Sequence, residues 1–264
     1  MIRQFVWLSL AAILIAVISF AATSYNRNDA VKILFIGNSL TSANNLPAMV
    51  ADIANSQDDH LIFDAYTPGG ARLFHHASDK NIMRKLRDQS WDFVVLQEQS
   101  QYPGFGAKQL ATDVFPYATQ LAAQVRKANP QTHAVFYMAM ANRKGDPANE
   151  HVSAQLLTYE GAQARVSRSY SKMARDNRGL IAPVGEAWRT TRQQRPQIEL
   201  YGDNTHPNPS GTYLAACVFY ATLFQRPCTG AAVPRGLDQA DAEYLQRVAD
   251  EVVLKSGNQW DWRE

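Results

Sequence analysis

Residues 31–41 read Val31-Lys32-Ile33-Leu34-Phe35-Ile36-Gly37-Asn38-Ser39-Leu40-Thr41. The first six form a short, mostly apolar run that stops at a glycine. A run of that length, closed by a turn residue, reads as a strand buried on both faces. Such a strand belongs to a parallel sheet, which needs helices between its strands. The chain supplies them in alternation. Residues 46–56 place Leu46, Met49, Val50 and Ile53 on one helical face. Residues 61–66 read as a second strand, closed by Pro68-Gly69-Gly70, and residues 71–88 as a charged amphipathic helix. A third strand is expected over 91–96 and a helix over 108–128, ended by Asn129-Pro130. A fourth strand over 134–139, a long helix over 154–176, a short strand near 180–184 and closing helices over 210–224 and 238–255 complete the order. Strands that alternate with helices in this way imply right-handed crossovers and an α/β class, with a central parallel sheet covered on both faces.

Composition bounds the rest. The chain has 264 residues, and 26 Lys plus Arg against 24 Asp plus Glu leave a net charge of +2. No basic excess exists to displace counterions from phosphates, which argues against a nucleic-acid partner. Hydrophobic residues at 46% and charged residues at 19% describe a folded chain of one large domain or at most two small ones. Two cysteines exclude a disulfide-dense scaffold and a four-cysteine zinc site. Ahead of the first strand, Arg3 precedes an uncharged stretch over 4–25 that is apolar in most of 5–22. That is the layout of a secretory signal, with Ser19 and Ala21 suited to a cleavage site. The run is also just long enough to span a bilayer. Residues 1–27 are therefore read as a signal peptide or an N-terminal membrane anchor, and 28–264 as the folded domain in the periplasm or outside the cell. In that compartment Cys217 and Cys228 could pair, although two separate packed thiols are the plainer reading.

Ligand sites in doubly wound sheets lie at the carboxyl ends of the strands. After the first strand, Ser39 stands on a tight strand-to-helix turn where Gly37 permits close backbone approach. After the second, the amides of Gly69 and Gly70 either approach a ligand or simply turn the chain. After the third comes Gln97-Glu98-Gln99-Ser100-Gln101, a polar cluster that either lines a site or is solvated; a side-chain amide there could donate to an oxyanion. Near the C-terminus, Tyr201-Gly202-Asp203-Asn204-Thr205-His206-Pro207 puts a carboxylate and an imidazole three apart in a loop stiffened by Pro207 and Pro209. Asp203 can then turn back, fix the tautomer of His206 and stabilise its imidazolium. Together these give a nucleophile, a base, an orienting acid and oxyanion donors. The serine is not in a G-x-S-x-G elbow, and the acid and base share one loop, so the arrangement is not that of an α/β-hydrolase.

On these residues the sequence resembles the SGNH hydrolases, also called the GDSL family of esterases and lipases. The family's G-D-S-L block corresponds to Gly37-Asn38-Ser39-Leu40, its second-block glycine to Gly70, with Gly69 a close competitor, and its D-x-x-H block to Asp203 and His206. The resemblance makes Ser39, Asp203 and His206 the catalytic triad. It puts the Ser39 and Gly70 amides in the oxyanion hole and implies a three-layer α/β/α, flavodoxin-like sandwich. Two departures stand out. Asn38 replaces the usual aspartate, and no G-x-N-D block exists. Gln97 looks like the glutamine that the sialate O-acetylesterase-like branch uses at that place, with Gln99 the fallback.

The expected activity is hydrolysis of short-chain acyl esters, acetyl above all, plausibly on carbohydrate, with no cofactor and no metal. An O-acyltransferase and a silent glycan-binding module are the alternatives. Residues 102–106, with Trp188 and Tyr201, offer either a sugar-stacking surface or ordinary packing. His75 and His76 point about 100° apart on a helix, so solvated or packed histidines are expected rather than metal ligands.

Overall fold

The structure is a computed structural model and describes residues 30–263. The leader or anchor expected over 1–27 lies outside the described residues. Five parallel strands form the sheet: β1 (Val31–Ile36), β2 (Leu61–Tyr66), β3 (Phe93–Leu96), β4 (His133–Tyr137) and β5 (Leu180–Ala182). Their spatial order is β2-β1-β3-β4-β5, so strand order reverses direction between β1 and β3. Between and after them run α1 (Ser39–Ser42), α2 (Leu46–Ser56), α3 (Leu73–Ala77), α4 (Lys80–Asp88), α5 (Ala107–Asp113), α6 (Phe115–Ala128), α7 (Tyr159–Asn177), α8 (Val184–Gln194), α9 (Pro209–Phe224) and α10 (Gln239–Leu254). Among the described residues no helix is long and apolar enough to cross a membrane.

Side chains alternate across the strands and divide the core in two. Ile33 and Phe35 of β1, Val95 of β3, and Val135 and Tyr137 of β4 face a layer built from α2, α8, α9 and α10. Leu34, Ile36, Val94, Leu96 and Phe136 face α3, α4, α6 and α7. The three-layer α/β/α sandwich is therefore present, and the apolar strands read as such because both of their faces are covered.

The expected helices over 71–88 and 108–128 are each broken in two. Asp79 starts a new helix by accepting a hydrogen bond from Asn81 N at 2.8 Å. Pro116, which lacks an N–H, ends the helical ladder between α5 and α6. The helix expected from 154 starts as a 3-10 turn over Ala154–Leu157, and α7 proper follows Thr158, whose hydroxyl caps Gly161 N. Helix α8 has no counterpart in the sequence reading; its buried stripe is Val184, Ala187, Trp188 and Thr191.

Helix α9 is the spine of its layer, buried on every side from Gly211 to Leu223. Its Phe219 meets Phe35 and Tyr137 edge-on at centroid distances of 5.6 and 5.0 Å. Cys217 of this helix and Cys228 beyond it are both buried and free. Burial pushes the Cys217 thiol well above its ordinary range, so it packs as a neutral side chain. Replacing Phe219 with alanine should cost about 3–5 kcal/mol in denaturant unfolding, because the ring is fully enclosed and the site cannot collapse around the gap. Activity per folded molecule should stay near that of the parent.

Candidate active site

The point where strand order reverses is the crevice between the ends of β1 and β3, and the chain places its polar turns there. At the end of β1, Gly37 N donates to Tyr66 O at 3.2 Å. A Cβ on Gly37 would collide with the Thr41 hydroxyl and lie 2.6 Å from Gln97 Oε1, so only glycine fits. Asn38 caps α1 by accepting from Leu40 N at 3.0 Å, and Ser39 opens the helix. Ser39 Oγ lies 2.9 Å from His206 Nε2, a contact across 167 positions of chain.

His206 sits on a loop closed on itself. Gly202 N donates to His206 O and Asn208 N to Leu200 O, each at 2.9 Å, and Tyr201 pairs with Pro207 across the neck. Asp203 folds back inside the loop. Its Oδ2 is 2.8 Å from His206 Nδ1, while Oδ1 accepts from His206 N and Thr205 N, both at 2.6 Å. Those two backbone donors, with the imidazole, hold the Asp203 carboxyl down at about 2, so it is ionised at any working pH. A carboxylate on Nδ1 places the ring proton there and leaves Nε2 to accept from Ser39. Two clamps seat the loop: Arg143 N donates to Asn204 O at 2.7 Å, and Asn44 Nδ2 donates to Pro207 O at 3.0 Å and to Thr212 Oγ1 at 2.9 Å. Asn44 does so from a left-handed backbone, φ +48°.

After β2, Gly70 also adopts a left-handed conformation, φ +67°, and both it and Gly69 are exposed with open space around them. The Ala71 N–H closes that turn onto Pro68 O at 3.1 Å. Gln97 departs from expectation. Its side chain does not project into the crevice: it is fully buried beneath the serine turn. Gln97 Oε1 accepts from Asn38 N at 2.9 Å and from Thr41 Oγ1 at 2.8 Å, and Nε2 donates to Glu98 O at 2.5 Å. With Oε1 and one N–H of Nε2 engaged below the turn and the side chain fully buried, it is not presented to the crevice. Gln99 is half-buried; its Nε2 reaches only Gln101 Oε1, at 3.4 Å, and its Oε1 accepts from Gln101 N at 2.9 Å. The aromatic surface is also absent: Trp188 and Tyr201 are buried against each other at 5.3 Å, Phe105 is buried, and the Arg72 guanidinium covers the Tyr102 ring at 3.6 Å.

No protein-family model and no curated protein matches the chain. Solved structures do. A DUF4886 family protein of Bacteroides uniformis superposes with a TM-score of 0.74 at 19% identity, over 86% of this chain and 96% of its own. A protein of Slackia heliotrinireducens proposed to be an SGNH hydrolase gives 0.61 at 27% identity, over 74% of this chain and 100% of its own. A catalytic mutant of an acetylxylan esterase of Geobacillus stearothermophilus gives 0.53 at 12% identity, over 74% and 95%. The chain is thus similar in fold to SGNH hydrolases and to an esterase.

Two residues around this site carried no signal of their own in the sequence. His76, one of the paired histidines on α3, is buried and lies 2.9 Å from Gly37 O through Nε2. Burial lowers its pKa, so a neutral ring donates to the carbonyl behind Ser39. Glu98 is fully buried beside Gln97. Its Oε1 accepts from Gln99 N at 2.6 Å and from Leu73 N at 3.4 Å, and Oε2 has no partner among the described residues. Desolvation raises the Glu98 carboxyl to about 7, with Arg72 nearby pulling the other way. An acid raised in the native state is protonated there while the unfolded chain has already lost its proton. Stability therefore falls as pH rises from about 4.5 to about 7, by about 3 kcal/mol for this group. Urea unfolding of wild type and Glu98→Gln across that window should show the slope in the parent and its loss in the variant.

Proposed function

We propose that this protein is an exported serine esterase that removes short acyl groups, acetyl above all, from carbohydrate. The observation that carries the reading is the unbroken line from Ser39 Oγ through His206 to Asp203, with contacts of 2.9 and 2.8 Å at the switch point of the sheet. In this reading Ser39 attacks the ester carbonyl while His206 Nε2 takes its proton. Asp203 stabilises the imidazolium, and the Ser39 and Gly70 amides receive the oxyanion. His206 then protonates the leaving alcohol, and an acyl-enzyme remains. Water enters, gives its proton to the same nitrogen and attacks the acyl carbon, and collapse returns the acid and free Ser39. Each oxyanion donor contributes roughly 3 kcal/mol to lowering the barrier.

Polar residues after the strands, Gln99 and Gln101 after β3 and Asn142 after β4, support a hydroxylated substrate over a fatty acyl chain. The similarity to an acetylxylan esterase whose catalytic mutants replace a serine, an aspartate and a histidine points the same way. The layout of residues 1–27, a basic residue followed by an apolar run, supports export.

The test is release of acetate from acetylated xylo-oligosaccharides and of nitrophenol from p-nitrophenyl acetate. Ser39→Ala should lower kcat at least about a thousandfold, and Asp203→Asn by a comparable order, since the amide presents the wrong tautomer to His206. A fluorophosphonate should label wild type at Ser39. Activity that survives Ser39→Ala unchanged sinks the proposal.

A further inference from the structure

We propose that Asn38 is a positioning residue: its side chain ties the nucleophile turn to the glycine loop and so holds the Ser39 and Gly70 amides at one fixed spacing. The inference rests on the esterase reading above and concerns how that site is built. Asn38 is 2% exposed and spans the gap between two separate loops. Its Nδ2 donates to Ala71 O at 2.8 Å, on the residue after Gly70. Its Oδ1 accepts from Leu40 N at 3.0 Å, which sets the helical turn that carries Ser39. Its own N–H is held from below by Gln97 Oε1 at 2.9 Å. Each end of the amide thus fixes one wall of the oxyanion hole.

Few other means exist to do this. Helix α1 is a single turn of four residues and has little rigidity of its own. The glycine loop is exposed at Gly69 and Gly70, and a Cβ on either would meet nothing within 4 Å. The hole therefore keeps its shape through side chains that reach across: Asn38 to Ala71, Gln97 to Asn38 and Thr41, and His76 to Gly37 O. The buried Gln97 amide, expected in the hole itself, backs the brace instead.

The chemistry selects the amide. A carboxamide can donate to a carbonyl and accept from an N–H at once, whereas an ionised aspartate can only accept. Aspartate here would turn a carboxylate oxygen toward Ala71 O at 2.8 Å, two acceptors with no proton between them. The residue most usual in the resembling G-D-S-L block is thus the wrong one for this chain. Serine would keep an acceptor for Leu40 N but could not reach Ala71.

The experiment compares kcat and KM of the full chain for p-nitrophenyl acetate in wild type, Asn38→Ser and Asn38→Asp, from about pH 6 to 9, with thermal unfolding measured alongside. Displacing an oxyanion amide by a fraction of an ångström should lower kcat about tenfold to a hundredfold and leave KM within about threefold. Asn38→Ser should show that loss at every pH. Asn38→Asp should match it at the alkaline end and recover relative to wild type toward acid, as the carboxyl takes up a proton and regains a donor. A merely structural role would lower the unfolding midpoint without that pH-dependent ratio. The inference is overturned if kcat of Asn38→Ser stays within twofold of wild type. If Asn38→Ser does not fold, an Asn38→Asp ratio that is flat with pH overturns it equally. A wild type that neither hydrolyses the ester nor takes a fluorophosphonate on Ser39 refutes the esterase reading itself.

Discussion

The contact between Ser39 and His206 joins a residue at the end of the first strand to one 167 positions later, and neither loop could reach the other without the sheet between them. The order β2-β1-β3-β4-β5 puts β1 near the centre with its carboxyl end at the reversal point. Helices leave on opposite faces there, so the crevice opens at the serine turn. Helix α9 then brings the late loop into place: it starts at Pro209, immediately after the histidine loop, and is buried along nearly its whole length. Burial of that helix is the large term. The hydrogen bonds of Asn44 and Arg143 to the loop refine a position that packing has already fixed to within a few ångströms.

The site built on this frame is short in regular structure and rich in side-chain bonds. The serine turn, the glycine loop and the histidine loop each hold their shape through amide or carboxylate side chains that bond backbone N–H and C=O groups. Asp203 does this within its own loop, and it gains a second effect: the backbone donors that shape the turn also stabilise its charge. One carboxylate thus fixes the loop conformation and the tautomer of the base. Three short loops can in this way carry a geometry that must hold to fractions of an ångström.

The fold and the meeting of Ser39, His206 and Asp203 were legible in the sequence for one reason. Both rest on patterns that solvent writes directly into composition: apolar runs of strand length, helical stripes, and polar residues placed straight after strands. Val31–Ile36 emerges with the expected bounds because a doubly covered strand must be apolar throughout, and the edge strand Leu61–Tyr66, with Ile62 and Phe63 exposed, because Pro68-Gly69-Gly70 closes it. The helix breaks at Asp79 and Pro116 were visible as residues, but an amphipathic stripe runs through both and masks them. Helix α8 escaped because its inward stripe ends in Thr191 and its outward face carries arginines and glutamines, so its mean character is that of a loop.

The orientation of Gln97 was not legible, and the reason is physical. After β3 the cluster Gln97-Glu98-Gln99 offers three polar side chains to one crevice edge, and pleat alternation sends neighbours to opposite sides. Which of them faces inward depends on what lies beneath, and that is supplied by distant chain: the Asn38 N–H and the Thr41 hydroxyl, both arriving from the turn after β1. Burying an amide without partners is costly, whereas here both ends of Gln97 are satisfied. Glu98 takes the worse position, with one oxygen unpartnered and its acidity weakened by burial. A polar cluster at a strand end therefore signals a site, yet its members divide between those that meet a ligand and those that hold the backbone which does. The division follows hydrogen-bond complementarity with groups remote in sequence, and side-chain type alone does not encode it.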